Sequence, residues 1–594
     1  MADTDTQQPG LDGRLLRRIL AFLLPYRGWL VVALLLSVLG AYLGPLRPAL
    51  IQRAIDEFIV TNDWEGLQGI VLILFGILLG EAIVQMVTSY LTQWIGQQAI
   101  FDLRTRLYRH IQRLPLSYFD RTPLGKIITR TTNDVEALSD LLSAGVVVIL
   151  GNLLRLAFIT YFMVSLNWQL ALLALSVMPL MVWSTAVFRS KVRVAYRETR
   201  KQVAALNAFL QEHVTGMKIV QVFNREDEEA ERFDTVNDAH RQAHIKTIFY
   251  FALFWPTVDI VASMALGIVL WYGGLSSMST TLTLGVLVAF IQYIRKFFEP
   301  IRQLSDQYNV LQSAMAASER IFDVLDLDIA MKEDERTTPL GRAEGRITFE
   351  NVWFAYEEPA EGEETNWILK DVSFTIEPGQ TLALVGATGS GKTTILNLLM
   401  RFYEPQKGRV LIDGVDVRRL SLEDLRKNVG LVLQDVFLFS GSIERNITLG
   451  NERVDQDTVQ RSAALVGADQ FIERLPEKYQ QDVRERGASL SHGQRQLLAF
   501  VRALVYDPAI LVLDEATSSV DTESEEMIQQ ALDRLMDGRT TVAVAHRLST
   551  IQNAEQILVV HNGRIRERGT HTELLRLDGL YRRLYELQFK EQEA

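Results

Sequence analysis

The 594-residue chain is too long for a single core, so more than one domain is expected. It has no cysteine, which excludes disulfides and thiolate metal sites, and its net charge of −11 argues against a nucleic-acid partner. Hydrophobic residues make up 48%, a level that mixes membrane and soluble character.

Residues 1–12 read as a flexible N-terminus. In RLLRRILAFLLPYRGW the apolar run is short, arginines interrupt it and no small-residue cleavage site follows, so it is no secretory signal. Leu15, Leu16, Ile19, Leu20, Leu23 and Leu24 share one helical face, with Arg14, Arg17 and Arg18 opposite. That pattern suits an elbow helix lying in the membrane interface.

Six apolar stretches follow, at approximately 29–51, 67–92, 141–166, 168–189, 247–272 and 283–300. Roughly 20 apolar residues span a bilayer, and the last stretch is the weakest because Arg295 and Lys296 interrupt it. Long polar but helix-patterned segments separate the second stretch from the third and the fourth from the fifth. These segments carry the cations, Arg104 to Arg130 in one and Arg189 to Lys201 in the other, whereas the opposite links are acidic or uncharged. The bias puts both long segments, both termini and everything after residue 325 on the cytoplasmic side. Trp168, Trp271 and Tyr272 fall where an outer aromatic belt would sit. Glu81, Arg155 and Asp259 lie inside spans, where charge is expensive; they line a substrate path, pair with one another, or face a water-filled vestibule without specific recognition.

DLDIAMKEDERTTPLGRAEG is polar and turn-rich, and 326–345 reads as a linker. Strand patterns (ITFENVWFAY, ILKDVSFTI, QTLALVG) then alternate with helical ones, and AILVLD and TTVAVA read as buried strands. An α/β domain with a largely parallel sheet is expected over 346–585, with a tail at 586–594.

Gly386 to Thr393 (GATGSGKT) matches G-x-x-x-x-G-K-[ST] between a strand and a helix. Backbone N–H groups from Gly386, Thr388, Gly389, Ser390, Gly391 and the helix start through Thr394 would curl around phosphates. Lys392 supplies charge to the β/γ oxygens, and Thr393 offers a hydroxyl to Mg²⁺. Downstream, the apolar run Ile510–Leu513 ends in Asp514 and Glu515. Asp514 suits a Mg²⁺ shell, and Glu515 suits a general base facing an attacking water. A second phosphate-binding helix start reads LSHGQ, with Ser491, His492, Gly493 and Gln494 before RQLLAFVRALV.

These motifs, in this order, resemble an ATP-binding cassette (ABC) exporter half, over roughly residues 12–585. The resemblance implies a membrane all-α domain over 13–325, of the type IV, multidrug-type fold, with six long transmembrane helices and two cytoplasmic coupling loops. It is fused to an α/β P-loop ATPase domain. LPLSYFDRTPLGKIITRTTNDVEAL and EHVTGMKIVQVFNRE resemble those coupling loops. Tyr356 matches the aromatic residue that stacks on adenine, and Gln434 in LVLQDVFLF the Q-loop glutamine at the metal and water. Ser518 to Asp521 match the D-loop, and His546 the switch histidine near the γ-phosphate. ATP and Mg²⁺ are the implied cofactors. Two such ATPase domains would meet head to tail, each ATP lying between one P-loop and the other chain's signature, so a second half-transporter is implied.

Two positions depart from the family pattern. His492 replaces the first signature glycine of LSGGQ, and Arg484 in DVRERG stands where glycine is usual. Lys392, Asp514, Glu515, Gln434 and His546 all fit. An intact hydrolytic set beside an altered signature resembles the glutamate-bearing subunit of bacterial heterodimeric multidrug exporters. The partner would then lack the Walker B glutamate and keep an intact signature. The expected activity is ATP-driven export of hydrophobic or amphipathic small molecules by alternating access, with membrane lipids as neighbours. The expected location is the bacterial inner (cytoplasmic) membrane. A homodimeric lipid or peptide exporter and an ATP-gated channel on the same fold stay open as alternatives.

Overall fold

The computed structural model describes residues 12–278, 282–329, 338–357, 365–514, 522–545 and 548–588. Two compact units emerge: one of residues 1–112 and 124–327, the other of 113–123 and 328–594.

The first unit is helical. Helix Gly13–Ala21 starts at Asp12, whose carboxylate accepts from Arg14 N at 2.8 Å, and it buries Ile19. The elbow is tied down by a group that the apolar-face reading had placed on the polar side. The Arg18 guanidinium donates to both oxygens of Asp326 at 2.7 Å and lies 3.9 Å over the Phe322 ring. Long helices follow at Arg27–Arg53, Trp64–Ile111, Val146–Leu166, Met178–Thr215, Glu226–Met278 and Leu284–Leu325, with Trp168–Leu175 leading into the fourth. At about 1.5 Å per residue, the 48 residues of Trp64–Ile111 run roughly 70 Å, more than twice a hydrocarbon core of about 30 Å. The polar, helix-patterned segments are therefore continuations of the membrane helices beyond the bilayer.

Five helical runs are long and apolar enough to cross a membrane, over Leu24–Ile59, Trp64–Ile111, Leu124–Leu166, Trp168–Thr215 and Glu226–Gly274, counted among the described residues. Leu284–Leu325 is not one of them; Arg295, Lys296 and Glu299 interrupt its apolar half. Apolar side chains such as Leu72 and Phe75 point outward, as a hydrocarbon solvent allows. The unit's interior is packed by Ile159, Met163, Leu170, Val269, Phe290 and Tyr293.

The second unit holds two sheets. Strands β1 (Ile347–Phe354), β2 (Leu369–Ile376), β4 (Lys407–Ile412) and β5 (Val415–Asp416) form an antiparallel sheet in the order β2-β1-β4-β5. The larger sheet runs β10-β9-β3-β8-β7-β6. Its members are β3 (Thr381–Val385), β6 (Val429–Val432), β7 (Ile510–Asp514), β8 (Thr540–Val544), β9 (Gln556–His561) and β10 (Arg564–Gly569). All but β10 are parallel. β7 and β8 are buried almost throughout, as a parallel sheet covered on both faces requires. A second core joins helices Ile443–Thr448, Gln456–Leu465 and His492–Val505 through Ile443, Ile447, Val459, Leu497 and Phe500.

Helix Leu116–Arg121, from the first predicted coupling segment, groups with this second unit. The Tyr403 hydroxyl donates to the Asp120 carboxylate, and Arg121 donates to the Tyr356 carbonyl.

Candidate functional site

The parallel register decides where the site lies. Leu384 of β3 pairs with Val544 of β8, Asp514 of β7 pairs with the same Val544, and Val432 of β6 pairs with Leu513. The strands therefore end at one edge. Gly386 follows β3, Gln434 follows β6 by two residues, and Asp514 ends β7. In open α/β sheets this carboxyl edge is where ligands bind.

At that edge, Gly386 to Gly391 turn into helix Lys392–Leu399. Two glycines here are required by the backbone. A Cβ on Gly386 would lie 2.2 Å from the Val560 carbonyl oxygen. Gly391 sits at φ +109° as the residue before the helix, a conformation that side chains avoid. The loop is pinned from outside by Gly563 N, which donates to Ser390 O at 3.1 Å. Inside it, Ser390 Oγ is buried and has no hydrogen-bond partner among the described residues. The Lys392 side chain is folded over the loop mouth, with Nζ donating to Gly386 O at 2.7 Å and Ala387 O at 3.0 Å. Burial pushes this ammonium down from its ordinary value, and the Asp514 carboxylate opposes that. An orphan hydroxyl, a cation and free helix N–H groups around one loop fit a polyphosphate.

Thr388, Gly389 and Thr393 are exposed and Thr394 is buried. Tyr356 lies edge-on to Phe354 at 4.9 Å and to Tyr403 at 5.0 Å, and its hydroxyl is 3.1 Å from Thr394 Oγ1. Gln434 is exposed on the loop after β6. Two residues that the motifs did not flag shape that loop. Asn446 accepts from Phe439 N and donates to Phe439 O, each at 2.8 Å. Arg502 donates to Asn446 O at 2.9 Å and Phe437 O at 3.2 Å. Their only sequence signal is a polar residue inside an apolar helical face.

Ser491, His492, Gly493 and Gln494 begin helix His492–Val505 elsewhere in the unit. Ser491 Oγ accepts from Gln494 N at 3.2 Å, and Gln494 Oε1 accepts from Ser491 N at 2.9 Å, a complete capping box. His492 is exposed in the first turn and Gly493 is buried. Arg495, also unflagged by any motif, donates to Leu490 O at 2.8 Å and braces the turn before the cap. Arg484 stands at φ +58°, ψ −174°, a region that is essentially glycine's. Glu515, Ser518 to Asp521 and His546 lie outside the described residues.

In the first unit, Glu81 pairs with Arg47 at 3.0 Å, and Lys296 Nζ donates to Gly44 O at 2.9 Å. Arg155 lies within electrostatic reach of Lys296. Asp259 lines an open cavity of about 550 Å³ with Pro256, Ile260, Ser263 and Met264.

A P-loop sheet in one unit and membrane-length helices in the other define a membrane-embedded ATPase. The family model of the ABC transporter transmembrane region matches residues 30–301, and the family model described as ABC transporter matches 369–518. The chain is 38% identical over 525 residues to "Probable multidrug resistance ABC transporter ATP-binding/permease protein YheH" of Bacillus subtilis (strain 168), covering 86% of this chain and 76% of that protein. It is 34% identical over 575 residues to an "ATP-dependent lipid A-core flippase" of Syntrophus aciditrophicus (strain SB), covering 97% and 94%. The structure of a bacterial Atm1-family ABC exporter with ATP bound superposes with a TM-score of 0.76 at 26% identity, over 97% of this chain and 99% of that one. The chain belongs to the ABC transporters, as an exporter half-transporter: a multi-pass membrane protein whose ATPase domain binds ATP and hydrolyses it to drive transport.

Proposed function

We propose that this chain is the hydrolytically competent half of a heterodimeric exporter of hydrophobic or amphipathic small molecules. It would sit in the bacterial inner membrane with its ATPase domain in the cytoplasm. The observation that carries the ATP-site assignment is the shared strand edge, where Gly386–Lys392, Asp514 and Gln434 follow three parallel strands of one sheet, β3, β7 and β6. Lys392, freed from Gly386 O and Ala387 O, would meet the β/γ oxygens, and Ser390 Oγ would gain its missing partner. Thr393, Asp514 and Gln434 would hold Mg²⁺, which neutralises charge between those oxygens. Tyr356 would cover the adenine. Glu515 would orient and deprotonate the attacking water, and His546 would contact the γ-phosphate.

Ser491, His492, Gly493 and Gln494 would face the ATP held by the other subunit. Glu515 and the altered signature of one chain then act on different nucleotides, which is why a hydrolytic set and an imperfect signature coexist. The two cytoplasmic tips would carry closure of the ATPase domains to the membrane helices and switch them between inward- and outward-facing states. The relative named for multidrug resistance supports apolar drugs as cargo; the lipid A-core flippase keeps a lipid cargo as the second reading.

The test is ATP turnover and drug efflux in proteoliposomes, by the chain alone and with the product of a neighbouring half-transporter gene. Efflux of an amphipathic drug only in the mixed complex is expected. Full drug-stimulated turnover by the lone chain removes the heterodimer.

A further inference from the structure

The second cytoplasmic tip is built by three helices of the first unit. Met178–Thr215 descends to Gly216, Met217–Val222 forms the tip, and Glu226–Met278 returns. The tip is apolar and exposed at Val214, Met217, Ile219, Val222 and Phe223. At its base, His213 joins the descending and returning helices. Its Nδ1 lies 2.8 Å from the Phe209 carbonyl oxygen, and its Nε2 lies 2.7 Å from a carboxylate oxygen of Glu229. The other Glu229 oxygen accepts from Arg232 at 2.7 Å. The imidazole stacks on Phe209 at 3.8 Å, and Phe209 packs against Phe233 across the gap at 5.9 Å.

Both ring nitrogens thus face acceptors, a carbonyl and an arginine-bound carboxylate, and neither acceptor has a proton to offer. A neutral imidazole owns one N–H and can satisfy one of them; only the imidazolium donates to both. The proton is therefore a structural part of the joint.

We propose that His213 is a proton-operated positioning residue, which as imidazolium ties the descending and returning helices together and fixes the direction of the tip. When it is neutral, one of its two bonds is lost, the helix pair parts at its base, and the tip transmits ATP-driven closure less faithfully. The second half of this statement rests on the exporter reading above; the joint itself does not.

The surrounding charges favour the charged ring. The bond to the Phe209 carbonyl raises the proton affinity of His213 most; desolvation opposes this, and Glu229 and Glu212 add to the rise. Glu212 comes from the same helix, and Glu229 with its Arg232 from the returning one. Arg225 is held by Glu228 at 2.9 Å, and Lys218 on the tip is exposed. A group whose affinity for protons is raised in the folded arrangement contributes fully below its ordinary value, about 6.5 for histidine. It loses that contribution as pH climbs through the raised value. The joint is therefore closed at pH values below the ordinary histidine value and opens as pH climbs through the raised one.

The experiment uses the full-length complex in lipid nanodiscs. Amide hydrogen exchange of segment 209–229 is followed from about pH 5.5 to about pH 9 and corrected for the intrinsic rate. Wild-type protection should fall at least about tenfold across that range, the weight of one charge-assisted hydrogen bond. His213→Gln should show low protection with no pH response, and His213→Arg, which keeps the charge, should stay protected throughout. A His213→Gln profile identical to wild type overturns the clamp. In the same samples, stimulation of ATP turnover by daunorubicin, expressed relative to basal turnover, should fall with rising pH in wild type and be flat in both variants. A stimulation ratio that keeps its pH dependence in His213→Gln, while the exchange profile has lost it, overturns the role in coupling. A wild-type complex whose turnover no drug stimulates at any pH sinks the drug-exporter reading, and the exchange result still decides the clamp.

Discussion

The helices beginning at Lys392 and at His492 both follow phosphate-type loops, yet they start in different ways. The first is preceded by Gly391 at φ +109° and by Gly386, whose missing Cβ leaves room for the Val560 carbonyl. The second is preceded by Ser491 in an extended conformation, with a capping box and an ordinary helical first turn. At the first start the fold itself demands glycine. At the second it does not, because His492 has no positive φ and its side chain stands in solvent. A glycine at 492 would serve only what approaches from outside. The comparison separates residues kept for the chain's own backbone from residues kept for a visitor, and it explains why one loop tolerates a departure that the other could not.

Breaking the first start should cost most. Glu515→Gln, one residue after Asp514 in the sequence, is expected to lower steady-state ATP turnover by roughly 10²–10⁴-fold while leaving ATP binding intact. Turnover and nucleotide binding measured on one preparation check this, and unchanged turnover removes Glu515 from the catalytic role. Gly386→Ala tests the backbone argument directly. Its Cβ would meet a carbonyl on β9 that cannot yield without moving the sheet, so a loss of about 3 kcal/mol in domain stability is expected, together with loss of ATP binding. A thermal melt of the variant close to wild type would show that the loop has slack that the geometry does not reveal.

The difference between the two starts also marks what the sequence can disclose. The P-loop and Asp514 were legible because their chemistry needs a fixed local spacing, and the strand leading into each identifies itself by composition. The division into a helical membrane part and an α/β part was legible for the same reason, since both periodicities are local. The sixth long helix was visible as the weakest, and its charges explain why it falls short of the other five. The fasteners that hold these parts were not legible. Arg18 meets Asp326 across 308 residues, Asp120 meets Tyr403 across 283, and His213 meets Glu229 across 16, with a whole tip between. Nothing near Arg18 distinguishes a guanidinium in water from one clamped on a carboxylate. Glu81 was flagged as costly in the membrane, but its partner Arg47 lies on another helix and emerges only from packing.

Arg484 sharpens the comparison on the signature side. Here a non-glycine residue does occupy a glycine conformation, in the lead-in to LSHGQ. That geometry costs roughly 1–3 kcal/mol for a side-chain-bearing residue, and glycine's extra freedom in the unfolded chain returns up to about 1 kcal/mol of the difference. Arg484→Gly should therefore stabilise the ATPase domain by about 1 kcal/mol. Chemical denaturation checks it, and a destabilised variant would mean that the arginine side chain makes contacts worth more than the strain.

The smallest effect is expected at His492 itself. Replacing an exposed first-turn residue with glycine leaves the Ser491–Gln494 box in place, so His492→Gly should change stability by no more than about 0.5 kcal/mol. Its functional consequence depends on whose ATP the signature touches. If it serves the partner's nucleotide, steady-state turnover by the mixed complex, which Glu515 governs, stays within about twofold of wild type. If two copies of this chain pair with each other, every site contains the altered signature, and restoring glycine should raise turnover by about tenfold, the equivalent of one 1.4 kcal/mol contact in the transition state. A single turnover measurement on His492→Gly thus separates the two assemblies, and it does so because the residue matters so little to the helix that carries it.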